Sequence, residues 1–383
     1  MNILEDDFLN KIAENVAKSC DLENWKFKRH ENIKTIENYF GILVPLTVTG
    51  RRNESEEELH LLLKLKPETA EDRMKLVLKY LYDTEHYVYT RLFPLFGSCQ
   101  LNVDDISPKC FYADMQPGHE VIVLQNMTFS GFMRYPNRFL DYHHAIVALK
   151  SLAKYHSLSL ISIESGKIST ENDFVKPYTD THPVELNIAL KLCLESHSQL
   201  LKGEKCEKFL RSLAERYNNI RVDSFNKSKL IVFGHGDYWK ENILFKYVNE
   251  KPTQACILDY QMVQLMSASQ DFLTFLLVSV DTKTRMENYE NFISAYIKSL
   301  DSILIEHNID TQRIVVDFQH DLKVVAENCV IMAVMAFALW YGLEDQTLVK
   351  SKDTTDKVNA EKRFTQTICE ILNDLNRIGL VRL

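Results

Sequence analysis

No Cys-x-x-Cys pair occurs in these 383 residues; the eight cysteines stand far apart, at 20, 99, 110, 193, 206, 256, 329 and 369. That scatter excludes a disulfide framework and reads as reduced, mostly buried thiols. Repeats and low-complexity tracts are missing too. The longest apolar run, Cys329 to Leu343, is shorter than the roughly 20 residues that span a bilayer. With Met332, Met335, Phe337, Trp340 and Tyr341 it reads as a buried helix able to line a pocket. The N-terminus is acidic from the start and lacks the basic segment and apolar stretch of a secretory signal. The expectation is therefore a cytoplasmic chain without a membrane span, in which the sequons at Asn53, Asn126 and Asn226 are chance. Basic charge is not in excess either. A formal charge of −8 speaks against nucleic acid as the main partner. No feature signals an obligate protein partner. The chain has no Gly-x-x-x-x-Gly-Lys-Ser/Thr loop, no Gly-x-Ser-x-Gly elbow and no zinc-ligand spacing.

What is present is an ordinary interior: 45% hydrophobic and 26% charged residues, enough for a real core. The length suits two or three domains, or two unequal lobes around a cleft. Ile3, Leu4, Phe8, Ile12 and Val16 recur at helical spacing, which predicts an N-terminal amphipathic helix. Residues 42–49 and 58–65 read as a strand pair with the polar tract 50–57 as its turn. Pro45 inside the first strand predicts an edge position or a bulge. A helical pattern runs from about 71 to 93, and 121–125 is a short buried strand. Helices are predicted over 139–159, 183–201, 204–217, 270–280, 287–305, 311–341 and 359–377. Strands gather early and helices late, with a join near 126–131.

The informative stretch is Leu230 to Phe233, then Gly234-His235-Gly236-Asp237-Tyr238-Trp239-Lys240-Glu241-Asn242, then Ile243 to Tyr247 and Ala255 to Asp259. It reads as a strand, a polar loop and a β-hairpin turning around 248–253. With the hairpin centred between Glu250 and Lys251, Asn242 and Asp259 become cross-strand neighbours, about 5 Å apart. Asp237 lies just before them. Magnesium takes such hard oxygen ligands, usually one or two from protein and the rest from water and phosphate. A further carboxylate that accepts the proton of an attacking hydroxyl completes the requirements for phosphoryl transfer. Asp237 is accordingly predicted as catalytic base, and Asn242 with Asp259 as metal ligands.

His235-Gly236-Asp237-Tyr238-Trp239 with Asn242, followed by Leu258-Asp259-Tyr260-Gln261, resembles the aminoglycoside phosphotransferase and choline kinase superfamily, and within it the ecdysteroid kinase-like family. Relative to that family's usual motifs, Tyr238, Glu241 and Tyr260 are departures that remove no catalytic group. Glu241 matters if it points inward, since an acid beside a metal ligand alters ion affinity. The resemblance implies an α+β, bilobal protein-kinase-like fold with a small N-terminal antiparallel-sheet lobe and a larger, mainly helical C-terminal lobe. The lobes would be 1–127, binding nucleotide, and 128–383, carrying catalysis and acceptor. It implies ATP and Mg²⁺. Lys64 takes the position of the phosphate-gripping lysine, with Lys66 as local competitor, and Glu85 that of its helix partner. Asn38, Tyr39 and Gly41 fall where a nucleotide-covering loop lies, and Gln125, Asn126 and Met127 where a hinge meets adenine. His235 would brace the loop, Asp271 would support it or cap the following helix, and His156 would be a structural, hydrogen-bonded histidine.

The usual protein-kinase signatures are absent: no Gly-x-Gly-x-x-Gly, no His-Arg-Asp and no Asp-Phe-Gly. The acceptor implied is a hydroxyl on an apolar small molecule, an ecdysteroid first and phenolic or glycosylated xenobiotics next. A catalytically silent ligand-binding member of the fold is the alternative from another class.

Overall fold

A computed structural model describes residues 6–30, 36–38, 41–67, 72–99, 102–168, 184–203, 205–343 and 357–383. Helix α1 (Asp6–Ser19) opens with Asp6 and Asp7 and ends near Lys18, charges that oppose the helix dipole. Its buried face of Phe8, Leu9, Ile12, Ala13 and Val16 packs with Val44, Leu46, Leu61 and Leu63 of an antiparallel sheet. The strands are β1 (Glu23–Arg29), β2 (Ile36–Asn38), β3 (Gly41–Arg52), β4 (Ser55–Leu65), β5 (Cys110–Asp114) and β6 (Val121–Gln125). Their order is β1-β3-β4-β6-β5, with β2 also paired to β3.

The β3–β4 hairpin is longer than its polarity suggests. Asn53 and Glu54, both at positive φ (50° and 66°), make a two-residue turn, so most of the polar tract 50–57 is strand and not loop. Pro45 belongs to an inner strand. It falls between the register of β1, which ends at Leu46, and that of β2, which begins at Leu43, so its missing N–H breaks neither ladder.

Helix α2 (Asp72–Tyr87) runs through a π-turn (Val88–Leu92) into α3 (Phe93–Ser98), whose first turn holds Pro94, where no N–H is needed. After β6 come a 3₁₀ turn (Met127–Ser130) and β7 (Phe132–Arg134), then helices α4 (Tyr142–Glu164), α5 (Val184–Ser198), α6 (Lys205–Glu215) and α7 (Tyr217–Asn226). Strand β8 (Ile231–Gly234) leads to β9 (Ile243–Val248), β10 (Lys251–Ile257) and β11 (Gln264–Ser267). Helices α8 (Ala268–Ser279), α9 (Thr282–Glu306), α10 (Gln312–Trp340) and α11 (Lys357–Arg377) complete the chain. The separate helix α7 has no counterpart in the sequence reading.

The late strands form a three-stranded sheet, β10-β9-β7, and a two-stranded one, β11-β8. The fold is thus α+β: an antiparallel-sheet N-terminal region and a larger helical region. Each has its own apolar core, and Val88, Leu92 and Phe96 join the larger one. Helix α10 meets the length and composition needed to cross a membrane, yet 61% of its most apolar stretch is buried within the chain. Its buried Asp321 accepts from the N–H groups of Lys229 and Leu230, fixing the entry to β8.

Candidate active site

Asp271 of α8 and the loop's own His235 and Asn242 hold residues 235–242 in place. Asp271, in the first turn of α8, accepts from the backbone N–H of His235 at 2.6 Å and of Gly236 at 2.9 Å. Ser267, not Asp271, caps that helix. Between the two roles expected of Asp271, the structure therefore selects loop support. His156 reaches the same carboxylate at 3.1 Å and Tyr296 Oη at 2.7 Å, a buried structural histidine as expected. Gly236 has φ +77°, and a Cβ there would stand 2.2 Å from the Met262 carbonyl, so the middle of His-Gly-Asp admits only glycine.

His235 binds the loop to the hairpin. The Asp237 N–H donates to its Nδ1 at 3.3 Å, which leaves Nε2 to donate to the Leu258 carbonyl at 2.9 Å. Full burial lowers its pKa, so the ring stays neutral. It braces Asp237 against the residue next to Asp259 and is not itself a base. Asn242 closes the loop from the other side, its amide donating to the Asp237 carboxylate at 2.8 Å and carbonyl at 2.9 Å.

The hairpin differs by one residue from expectation. Asn249 and Glu250 (φ 49° and 63°) form its turn, and the register shifts between Pro252 and Gln254. Asn242 therefore faces Leu258, whose N–H donates to the Asn242 carbonyl at 2.9 Å. Asp259, one step further, leaves the strand in a left-handed conformation (φ 68°, ψ 68°). That turn sends its carboxylate to Lys64, 2.6 Å away, while its charge still acts on Asp237. The predicted convergence of 237, 242 and 259 holds, by a route other than direct cross-strand pairing.

Lys64, on β4, lies between Asp259 and Glu85 of α2, with Nζ 2.5 Å from Glu85 Oε2. Lys66 is engaged elsewhere, with Glu120, which removes it as competitor. Burial pulls the Lys64 ammonium down, but the charges of Asp259 and Glu85 outweigh it and hold its pKa above the ordinary lysine value. Gly41 sits over this group: a Cβ there would meet Tyr82 Oη at 3.1 Å and Lys64 Cε at 3.4 Å. The backbone of Asn38 pairs with Gly41, which sets β2 beside the strand end that lies over the lysine. Tyr39 lies outside the described residues.

Charge is out of balance at this point of the molecule. Glu85 and Asp259 are two carboxylates on the one ammonium of Lys64, and Asp237, which feels the charge of Asp259, adds a third with no cation of its own among the described contacts. Burial first, then the charge of Asp259, pushes the Asp237 carboxyl up to about 7, against the lowering effect of the donor from Asn242. Glu85 is likewise raised, by burial, with Lys64 opposing and Asp259 adding to the shift. Such a site takes up positive charge favourably. Among the described residues no trio of His, Cys, Asp and Glu makes a metal cage. The oxygens of Asp237, Asn242 and Asp259 instead suit a hard divalent ion that keeps water and phosphate as its other ligands.

At the join of the two regions the amide of Gln125 donates to the Lys109 carbonyl and that of Asn126 to the His60 carbonyl, both at 2.8 Å. The Gln125 side chain donates to Ser130 Oγ at 3.1 Å, and Asn126 caps the 127–130 turn. Met127 packs with Phe132, Leu244, Cys256 and Leu258 in a small apolar cluster separate from the two main cores. Glu241 is turned away from the oxygens of Asp237, Asn242 and Asp259, for Lys240 and Arg134 hold its carboxylate at 2.5 and 3.3 Å. The sequence reading put Trp340 in a pocket-lining helix without placing it beside this loop. Trp239 meets Trp340 edge to face, 5.9 Å between ring centres, beside Arg138 and Phe337. Aromatic residues 101 positions apart carry no local spacing signal that would pair them.

The chain matches the model of the ecdysteroid kinase-like family over residues 35–308. No curated protein matches it. Among solved structures it is similar to a choline kinase from Cryptosporidium parvum Iowa II (13% identity, 98% of each chain covered, TM-score 0.49). It is also similar to an ethanolamine kinase from Plasmodium vivax (12%, 99% and 91%, TM-score 0.42) and to a GDP complex of an aminoglycoside 2'-phosphotransferase (10%, 97% and 100%, TM-score 0.43).

Proposed function

Since the chain belongs to the ecdysteroid kinase-like family, a kinase-like phosphotransferase family, we propose that it moves the γ-phosphate of ATP to a hydroxyl of an apolar small molecule, an ecdysteroid being the first candidate. The observation that carries the reading is the cluster Lys64–Glu85–Asp259 beside Asp237–Asn242, with more buried carboxylate than cation. Lys64 grips the nucleotide phosphates and Glu85 fixes the lysine. Asn242 and Asp259 hold Mg²⁺, which supplies the positive charge that offsets the phosphates. Asp237 orients the acceptor hydroxyl and takes its proton as the new O–P bond forms and the bond to the leaving ADP breaks. Residues 1–127 serve the nucleotide and 128–383 catalysis and the acceptor. Asn38, Tyr39 and Gly41 cover the phosphates. The backbone at Gln125, Asn126 and Met127 borders the adenine; as the N–H groups of 125 and 126 are already engaged, Met127 is the open one.

Incubation with Mg·ATP and a panel of ecdysteroids and phenols, read by mass spectrometry for added phosphate, tests the reading. Phosphorylation of an ecdysteroid supports it, and phosphorylation of phenols alone makes the protein a detoxifying kinase. A calorimetric titration without Mg·ATP binding would leave a silent ligand-binding protein instead.

A further inference from the structure

A cavity of about 610 Å³ opens where the end of α3, the last turn of α4 and the 307–310 turn between α9 and α10 meet. That volume falls within the roughly 300–1,000 Å³ of small-molecule sites. None of the residues lining it belongs to the Lys64–Glu85–Asp259 cluster or to the 235–242 loop. Lys167 and His307 stand on its wall with Glu164 and Asp310, so the wall offers partners to a ligand that carries both signs of charge.

The same wall carries a thiol. Cys99 is half-buried, with its Sγ 3.6 Å from the hydroxyls of both Ser162 and Ser165. Ser165 already donates to the Ser162 carbonyl at 3.0 Å, whereas the fully buried Ser162 turns its hydroxyl to the sulfur. Lys167 donates to the carbonyl of Ser98, the residue before the thiol. Burial raises the Cys99 pKa, but the hydrogen bonds from Ser162 and Ser165 and the charge of Lys167 together outweigh it and hold the thiol below its ordinary value. At Cys110 and Cys329, by contrast, burial pushes the thiol up to about 12. A partly exposed thiol beside a cation is the reactive kind, and a buried one the inert kind.

We propose that Cys99 is a modification site: the cavity binds a small disulfide bearing carboxylate and ammonium groups, of the glutathione disulfide type, and Cys99 forms a mixed disulfide with it. Lys167 and His307 face the carboxylates of the ligand, and Glu164 and Asp310 its ammonium. The Cys99 thiolate attacks one sulfur of the bound disulfide. A new S–S bond forms as the old one breaks, and the leaving thiolate departs with the electron pair and takes a proton from water. The disulfide is itself the oxidant. This chemistry goes beyond the phosphotransferase reading and does not depend on it.

The test uses the full-length protein, reduced and desalted, incubated with glutathione disulfide at neutral pH and followed in time by peptide mass mapping. Cys99 should form the mixed disulfide at least about tenfold faster than Cys20, Cys110 and Cys369, the other half-buried thiols, and dithiothreitol should reverse it. The rate at Cys99 should saturate with glutathione disulfide, as binding before reaction requires. With 2-hydroxyethyl disulfide, which has no charge for the wall to hold, it should rise linearly. Lys167 is exposed, so Lys167→Met leaves the core intact. It should slow glutathione disulfide more than hydroxyethyl disulfide, because only the first loses a binding partner as well as thiolate. The Cys99→Ser protein, which cannot react, should still bind S-methylglutathione in calorimetry, and adding Lys167→Met should weaken that binding by roughly two- to fivefold, the worth of an exposed charge pair. Equal rates at the four thiols, a linear rate with glutathione disulfide, or no binding of S-methylglutathione by Cys99→Ser overturns the assignment.

Discussion

Asn242 meets Asp237 through a single amide nitrogen that bonds both the carboxylate, at 2.8 Å, and the main-chain carbonyl of the same residue, at 2.9 Å. The contact fixes where the carboxylate points without using the amide oxygen of Asn242. Replacing Asp237 by Asn keeps an acceptor for that amide, so the loop and the nucleotide site should survive while the proton acceptor is lost. The expected result is a kcat lower by roughly 10²–10⁴ with Mg·ATP affinity nearly unchanged. Steady-state kinetics on a true acceptor and calorimetry with Mg·ATP check it, and equal turnover by both proteins would remove Asp237 from its role.

The same substitution has a consequence for stability. A carboxyl raised to about 7 in the fold binds its proton more tightly folded than unfolded. Its contribution to stability is therefore favourable at low pH and is lost as pH rises from the ordinary carboxylate range through 7. Asp237→Asn should be more stable than wild type at pH 8, by roughly 1–3 kcal/mol given the partial exposure of the site, and no more stable at pH 4. Thermal melts at the two pH values measure the difference. If Asp237 is the base, kcat/KM of the free wild-type protein should rise with pH through about 7, because only the ionised carboxylate accepts the proton.

Much of this site could be read from residues close together in sequence. His235 to Asn242 and the returning strand to Asp259 announce a loop and a hairpin, and alternation along β4 put Lys64 and Lys66 on one face. Which lysine serves was not legible: Glu120, 54 positions from Lys66, decides it through a contact that no local pattern encodes. The hairpin register failed for a local reason, since a two-residue turn at Asn249–Glu250 and an irregularity after Pro252 cost one step. The left-handed backbone at Asp259 then compensates, and such a conformation in a non-glycine residue is held by its surroundings rather than by its own preference. That Arg138 and Trp340 come to this loop was not legible for the same reason as Glu120, although Trp340 stood in the stretch read as a pocket-lining helix. Long-range packing brings them to the loop.

Lys64 is held between two carboxylates, so its removal leaves both buried without a cation. Lys64→Met should lose Mg·ATP affinity and destabilise the protein by about 3–5 kcal/mol near pH 8. As pH falls the stranded carboxyls take up protons and the penalty shrinks, so the gap to wild type should narrow at pH 5. Melting curves at both pH values test this, and a constant gap would mean that the loss comes from packing alone.

Gly236 separates backbone strain from steric exclusion when it is compared with Gly131. Both have positive φ, 77° and 81°. A Cβ at Gly131 would meet nothing nearer than Lys246 Cε at 3.7 Å, so Gly131→Ala should cost only the strain, about 1–2 kcal/mol. At Gly236 the same methyl would stand 2.2 Å from the Met262 carbonyl, a rigid backbone atom. Relief requires moving either the 260–262 turn or the loop that carries Asp237, and the second breaks the bonds to Asp271 and His235. Gly236→Ala should therefore cost more than about 3 kcal/mol, or stay folded with turnover lost because Asp237 is displaced. Denaturant unfolding of the two variants beside their kinetics distinguishes these outcomes. Equal, small effects at both positions would show that the loop yields freely, against the rigid support that the bonds to Asp271 and His235 describe.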